Sequence, residues 1–161
     1  MSLLHDILYK VSIRALFGST DIPVTDLQLD SRKVKPGSVF IAVKGLIADG
    51  HDYIETALQN GASAVICETM PQQLRDTVTY VQVENSGSAA GYMSHNFYGQ
   101  PSEKLVLVGV TGTNGKTTIA TLLFQLFTAL RYKCGLISTV HNIIGARIVP
   151  ATHTTPDAIH L

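Results

Sequence analysis

"VLVGVTGTNGKTTIATLLFQLF", residues 106–127, decides how the rest of the chain is read. An apolar run stops at small residues, Gly-Lys-Thr follows at 115–117, and an apolar-faced pattern then begins. A phosphate-binding loop makes three demands. Its backbone must curl until successive N–H groups converge, and glycine permits that curl. A helix must start at the loop, because its first turn offers unpaired N–H groups and partial positive charge. A lysine must reach the β- and γ-phosphates, and a hydroxyl must reach Mg²⁺. Here Gly112 and Gly115 flank Thr113-Asn114, and Lys116 and Thr117 follow. The demands are met although the usual spacing G-x-x-x-x-G-K-[ST] puts its first glycine where this chain has Val110. The plainer alternative is a glycine-rich strand-to-helix turn with a surface lysine. The strand-loop-helix context on both sides favours the phosphate loop. Thr118 and Thr121 carry less weight, since each also lines the polar side of the helix.

Working outward, "KLVLVGV" (104–110) is a continuous apolar run of the kind found in central parallel strands covered on both faces. Ile119, Leu122, Leu123, Leu126, Phe127 and Leu130 recur at helical spacing. "CGLISTV" (134–140) reads as the next strand, so a βαβ unit with a right-handed crossover is expected. Near the end, Thr155-Pro156-Asp157 is a helix start: Thr as N-cap, Pro in the first position, Asp in the first turn. A helix cut off within a turn of its start cannot stand alone. This second unit has too few strands for a doubly wound sheet, so a piece of a longer protein is expected.

Upstream, the chain alternates strands and helices. Leu3, Leu4, Ile7, Leu8 and Val11 keep helical spacing, and "MSLLHDILYKVSIRALFG" (1–18) reads as an amphipathic helix and not a signal peptide. "VTDLQLDSR" (24–32) is a short strand running into a turn, and "KPGSVFIAVKG" (35–45) is a strand. "DYIETALQNGA" (52–62) is a helix stopped by Gly61, and "SAVICE" (63–68) a buried strand. "PQQLRD" (71–76) predicts a short helix, "TYVQVEN" (79–85) a strand, and "SGSAAGYMSHNFYG" (86–99) a helix ending at Gly99. "GQPSEK" (99–104) is the one stretch that reads as a domain linker. The expectation is an α/β protein: a small N-terminal α/β domain over 1–100, then over 101–161 the truncated start of a P-loop domain with a mostly parallel sheet.

Composition narrows the function. The chain has 161 residues, 45% hydrophobic and 15% charged, with 12 Lys plus Arg against 12 Asp plus Glu. Zero net charge argues against broad binding to nucleic acid or anionic membrane while allowing a local cationic site. No apolar stretch approaches the roughly 18 residues of a membrane span. Cys67 and Cys134 each sit in an apolar run, which fits two buried thiols of a reducing cytoplasm. His5, His51, His95, His141 and His160 show no ligand spacing and read as solvated or partly packed. Asp49-Gly50-His51-Asp52 reads as a turn into a helix.

The string "TGTNGKTT" (111–118) resembles the loop of the Mur ligase superfamily, whose enzymes make peptidoglycan precursors. "LQLDSRKVKPGSVFIAVKGLIADGHDYIETALQNGASAVICE" (27–68) is similar to the uridine-nucleotide-binding domain of members that add the third amino acid or the terminal dipeptide. "STVHNIIGARIVPATHTTPDAIHL" (138–161), a glycine-containing hairpin before Thr-Thr-Pro, resembles the members that add the third residue, a diamino acid.

The resemblance implies three domains, of which this chain holds a UDP-binding domain and the opening of an ATPase domain. It implies ATP-dependent amide formation, with ATP and Mg²⁺ as cofactors, through an acyl phosphate on UDP-N-acetylmuramoyl-L-alanyl-D-glutamate. The incoming residue is meso-diaminopimelate or L-lysine, diaminopimelate being preferred on frequency. Gly112, Thr113, Asn114, Gly115, Lys116, Thr117 and Thr118 would bind ATP, with Lys116 catalytic and Thr117 on Mg²⁺. Leu29, Ser31, Leu46, Ile47 and Ala48 would meet the uracil and nucleotide; His153, Thr154 and Thr155 would meet the muramoyl peptide. The plain reading of Asp30-Ser31-Arg32 is a turn in which Asp30 caps local N–H groups, and that of Thr155 a helix cap. A cytoplasmic monomer with no ligase activity in these residues alone is expected. The competing readings are the dipeptide-adding D-alanyl-D-alanine ligase and a non-catalytic nucleotide-binding module.

Overall fold

The computed structural model describes residues 2–45, 48–150 and 159. The chain forms two compact units, Met1–Lys104 and Leu105–Leu161. No helix among the described residues is long and apolar enough to cross a membrane.

The first unit opens with β1 (Ser2–Leu3), α1 (Leu4–Ile7), β2 (Ile13–Phe17), β3 (Pro23–Val24) and β4 (Asp26–Gln28). It continues with β5 (Ser38–Ile41), α2 (Ile54–Gln59), β6 (Ala64–Cys67), β7 (Thr79–Val83) and α3 (Ser86–Phe97). Five strands form one sheet in the order β2-β7-β6-β5-β4. β4, β5, β6 and β7 are mutually parallel, and β2 joins β7 antiparallel. The unit is therefore α/β with a mostly parallel sheet.

Every residue of β5 and β6 is buried, which is why 39–42 and 64–67 read as uninterrupted apolar runs. Phe40, Val65 and Tyr80 stand in register across β5, β6 and β7 and pack with Ala57, Leu58 and Ala62 at α2. Their neighbours Val39, Ile41, Ile66 and Val81 are equally inaccessible, so both sheet faces are covered. The Tyr80 hydroxyl is not stranded in this core, because it accepts the Arg75 N–H at 3.2 Å.

Three local expectations give way. The N-terminal stretch is helical only over Leu4–Ile7, and Ile13–Phe17 is the edge strand β2. Pairing with β7 overrides helical spacing there. Residues 71–76 form bends and turns and no helix. In the second unit, 105–110 is not a strand; Val106 is 95% and Leu107 89% exposed. A central strand exists only through ladder bonds to both neighbours, and no described strand pairs with these residues.

The second unit holds α4 (Lys116–Ala129), β8 (Gly135–Leu136), β9 (His141–Ile144) and β10 (Arg147–Pro150). Its three strands form an antiparallel sheet in the order β10-β9-β8, so the expected parallel pairing there is not seen among the described residues. β9 and β10 are the expected glycine-containing hairpin, turning at Gly145. Ile119, Leu122, Leu126 and Leu130 do share one face of α4, and each is half or more exposed.

Candidate functional site

In the second unit the site is a curled loop. Gly115 is the residue before α4 and takes the left-handed conformation, φ 78° and ψ −3°. Gly112, at φ 151°, is likewise in a region that side chains avoid. These two positions reverse the backbone on either side of Thr113-Asn114. α4 then runs fourteen residues, its first bond donated by the Ile119 N–H to Gly115 O at 2.9 Å. No side chain caps this helix, so the amides of its opening turn stay open to a ligand. Residues 111–116 are all exposed.

The Lys116 ammonium folds back over the loop and donates to the carbonyls of Gly112 and, at 3.3 Å, Thr113. It is held at the loop it was expected to serve. An anionic phosphate oxygen is a stronger acceptor than either neutral carbonyl. The Thr117 hydroxyl lies 3.4 Å from that of Thr139, a neighbour that spacing did not suggest. Thr121 donates to Thr117 O at 2.8 Å and so braces the helix. Loop curl, helix start, lysine and hydroxyl thus come together within one short segment. A polyphosphate fits that donor set.

In the first unit the parallel strands bring the chain segments after β4, β5, β6 and β7 to one edge of the sheet. The carboxyl edge of such a sheet is where α/β proteins form ligand crevices. Leu29 and Ser31 follow β4. Leu29 is half-buried and Ser31 buried, with its carbonyl accepting Asn60 Nδ2 at 2.9 Å. Asp30 caps the following turn by accepting the Arg32 N–H at 3.1 Å, and its carboxylate grips the Arg32 guanidinium at 2.8 and 2.9 Å. That side-chain hydrogen bond, reinforced by the Arg32 amide and charge, lowers the Asp30 carboxyl to about 2. The local-cap reading of Asp30 therefore holds.

After β5 the chain makes a hairpin neck. Lys44 bridges Asp49, the Gly45 N–H donates to Ala48 O at 2.9 Å, and the Gly50 N–H to Val43 O at 2.9 Å. A Cβ on Gly50 would stand 2.7 Å from Val43 N and 2.8 Å from Val43 O, so the neck closes only around glycine. Ala48 is exposed. Leu46, Ile47, His153, Thr154 and Thr155 lie outside the described residues.

Sequence reasoning missed what holds this neck. Asp49 accepts the His51 N–H at 3.0 Å and meets His51 Nδ1 at 2.6 Å. Across the imidazole, Nε2 accepts the Glu68 N–H at 2.9 Å and the Thr69 N–H at 3.4 Å, just beyond β6. Glu68 Oε1 in turn accepts Ser86 N–H at 2.8 Å and Ser86 Oγ–H at 2.9 Å at the start of α3. Those Ser86 bonds hold the Glu68 carboxyl below its ordinary range, and the His51 amide and ring bonds do the same for Asp49. His51 is not a solvated histidine, since its side chain is only 17% exposed.

Comparison with known proteins fits this division. Residues 23–98 match the "Mur ligase family, catalytic domain" and residues 110–161 the "Mur ligase middle domain". The chain is 54% identical over 159 residues to the "UDP-N-acetylmuramoyl-L-alanyl-D-glutamate--2,6-diaminopimelate ligase" of Cytophaga hutchinsonii, covering 98% of this chain and 33% of that protein. It is 50% identical over 158 residues to the protein of the same name from Bacteroides fragilis, again 98% against 33%. The chain thus spans about a third of the length of the curated relatives it matches. A solved structure of a ligase of that name superposes with TM-score 0.71 at 29% identity, over 99% of this chain and 31% of that one. A MurF ligase from Thermotoga maritima, solved in complex with ADP, gives TM-score 0.50 at 34% identity, covering 66% of this chain and 24% of its own.

Proposed function

We propose a function that proceeds from one premise: the chain belongs to the Mur ligase family. The protein that carries it is an ATP-dependent amide-forming ligase of peptidoglycan precursor synthesis. It joins diaminopimelate to UDP-N-acetylmuramoyl-L-alanyl-D-glutamate in the cytoplasm, as a monomer. The Met1–Lys104 unit receives the UDP end of that substrate, and the unit from Leu105 opens the ATP-binding domain. The observation that carries this reading is the loop: Lys116 folded over Gly112 and Thr113, with the left-handed Gly115 starting α4 beside it. The choice of diaminopimelate over lysine is supported by the names of relatives 46–54% identical.

The chemistry follows from charge. A γ-carboxylate oxygen of the glutamyl residue attacks the γ-phosphorus of ATP, ADP leaves, and an acyl phosphate results. The amine of the incoming residue then attacks the acyl carbon, phosphate departs, and the amine gives up a proton. Two unit charges 4 Å apart repel by about 4 kcal/mol at an effective dielectric of 20, so the first step needs cations and oriented amides. Lys116 and the amides from Gly112 to Thr118 supply them. Thr117 would hold Mg²⁺, which when bound adds charge neutralisation at the phosphates. Leu29, Ser31, Leu46, Ile47 and Ala48 receive the uridine nucleotide; His153, Thr154 and Thr155 meet the muramoyl peptide.

The test is phosphate release by the full-length protein given ATP, UDP-N-acetylmuramoyl-L-alanyl-D-glutamate and diaminopimelate. Release with diaminopimelate and not with lysine or D-alanyl-D-alanine is the expected result. Release only with the tripeptide substrate and D-alanyl-D-alanine would move the protein to the dipeptide-adding branch. Nucleotide binding without turnover under any pairing would leave a non-catalytic module.

A further inference from the structure

After β5 the chain leaves the sheet, and among the described residues one bridge, Lys44 to Asp49, and two backbone bonds, Gly45 N–H to Ala48 O and Gly50 N–H to Val43 O, close the neck of the segment. So few bonds do not hold such a neck by themselves. What fixes it in place is the imidazole of His51. One ring nitrogen faces the Asp49 carboxylate at 2.6 Å; the other accepts two backbone amides beyond β6. The second contact settles the tautomer. Nε2 receives hydrogen bonds from N–H groups and so carries no proton, which leaves Nδ1 as the N–H that donates to Asp49. Glu68, whose amide is one of those donors, holds the first turn of α3 through Ser86. The ring thus connects the segments after β5 and β6, and Glu68 extends the connection to the segment after β7, at the carboxyl edge of the sheet.

We propose that His51 is a positioning residue that sets the neck formed by Lys44, Gly45, Ala48 and Asp49 for the uridine nucleotide, by spanning Asp49 on one side and the amides of Glu68 and Thr69 on the other. This rests on the reading of the first unit as the nucleotide-receiving one. His51 touches no substrate in this role. It acts through the neck, so its loss weakens substrate binding and leaves phosphoryl transfer at Lys116 alone. Loss of the Nε2 acceptor removes the partner of the part-buried Glu68 amide and frees the neck. One hydrogen bond's worth of positioning corresponds to roughly a tenfold loss of affinity.

The experiment uses the full-length protein, with UDP itself as the calorimetric probe and steady-state kinetics beside it. His51→Ala is expected to weaken UDP binding about tenfold and raise KM for the UDP-linked substrate equally, with kcat within about twofold. His51→Gln, whose amide oxygen can replace the Nε2 acceptor, is expected to recover most of that loss. In the wild type, ¹⁵N spectra are expected to show Nδ1 protonated and Nε2 bare. A merely packed histidine would lower Tm in His51→Ala without splitting KM from kcat, and that result would overturn the proposal. So would a proton on Nε2, a readout that does not depend on any variant folding. Wild-type protein that fails to bind UDP overturns the nucleotide reading of the whole unit. Wild-type binding with variants that bind equally well overturns only the role of His51.

Discussion

Replacing Gly115 tests the phosphate loop with little ambiguity, because sterics and backbone strain separate there. A Cβ added at Gly115 would meet nothing within 4 Å. The effect of Gly115→Ala is therefore conformational alone: an L-residue held at φ 78° costs about 1–2 kcal/mol relative to glycine. That is a factor of roughly 5 to 30 in an equilibrium constant. Where the cost appears depends on the free loop. If the loop relaxes when no nucleotide is bound, the whole cost falls on ATP affinity. If it stays curled, the cost falls on stability. The two measured changes should sum to the same total. Calorimetric ATP titration and denaturant unfolding of the nucleotide-free protein measure them. Asn adopts the left-handed region more readily than Ala, so Gly115→Asn should lose less. Gly115→Val, β-branched, should lose more. An alanine variant unchanged in both measurements, or the order Val no worse than Asn, would refute a loop whose curl requires left-handed backbone.

Three further outcomes are expected. Lys116→Ala removes the only side-chain cation at the described loop and should lower kcat of the full-length enzyme by a thousandfold or more, as phosphate-neutralising cations do, while circular dichroism of the first unit stays native. Asp30→Asn should flatten acid unfolding: the carboxyl is lowered to about 2, so its stabilisation is complete above the ordinary carboxylate range, near 4, and is lost as pH falls through about 2. The exposure of Arg32, 84%, discounts that stabilisation to about 1 kcal/mol, read as the wild-type minus variant difference in urea unfolding between pH 5 and pH 2. Cys67 is buried and its thiol is pushed up to about 11, so iodoacetamide at pH 8 should label the half-buried Cys134 first and reach Cys67 only on unfolding, as mass spectrometry can follow.

The elements that were legible in the sequence are those whose burial is written locally. β5 and β6 are buried along their whole length, and an uninterrupted apolar run admits few other readings. α3 shows its start through Asn85, whose side chain accepts the Ser88 N–H at 2.7 Å. β2 was hidden because four of its five residues are exposed, so no alternation marks it. Its identity comes from β7, about seventy positions away, and from pairs such as Arg14 with Glu84 at 2.9 Å. The 105–110 run was read as a strand from its apolarity, yet apolarity states only that a segment would gain by burial. It does not supply the ladder partner.

The same distinction separates the two halves of the candidate site. Everything the phosphate loop needs lies between Gly112 and Thr117, so glycine placement, helix start and lysine could be read from one short string, Val110 notwithstanding. His51 is the opposite case. Its functional partners are the backbone amides of Glu68 and Thr69, and a backbone amide has no residue identity for a motif to register. A histidine seventeen residues from the amide that donates to it shows no ligand spacing however well it is held. What the sequence does retain is the constraint around it. Gly50 allows no Cβ against Val43, and Asp49 must both cap the turn and receive Nδ1. The neighbourhood of a hidden clamp is therefore more legible than the clamp, and Asp-Gly-His closing the loop that follows a strand in a parallel sheet is a pattern that justifies looking for one.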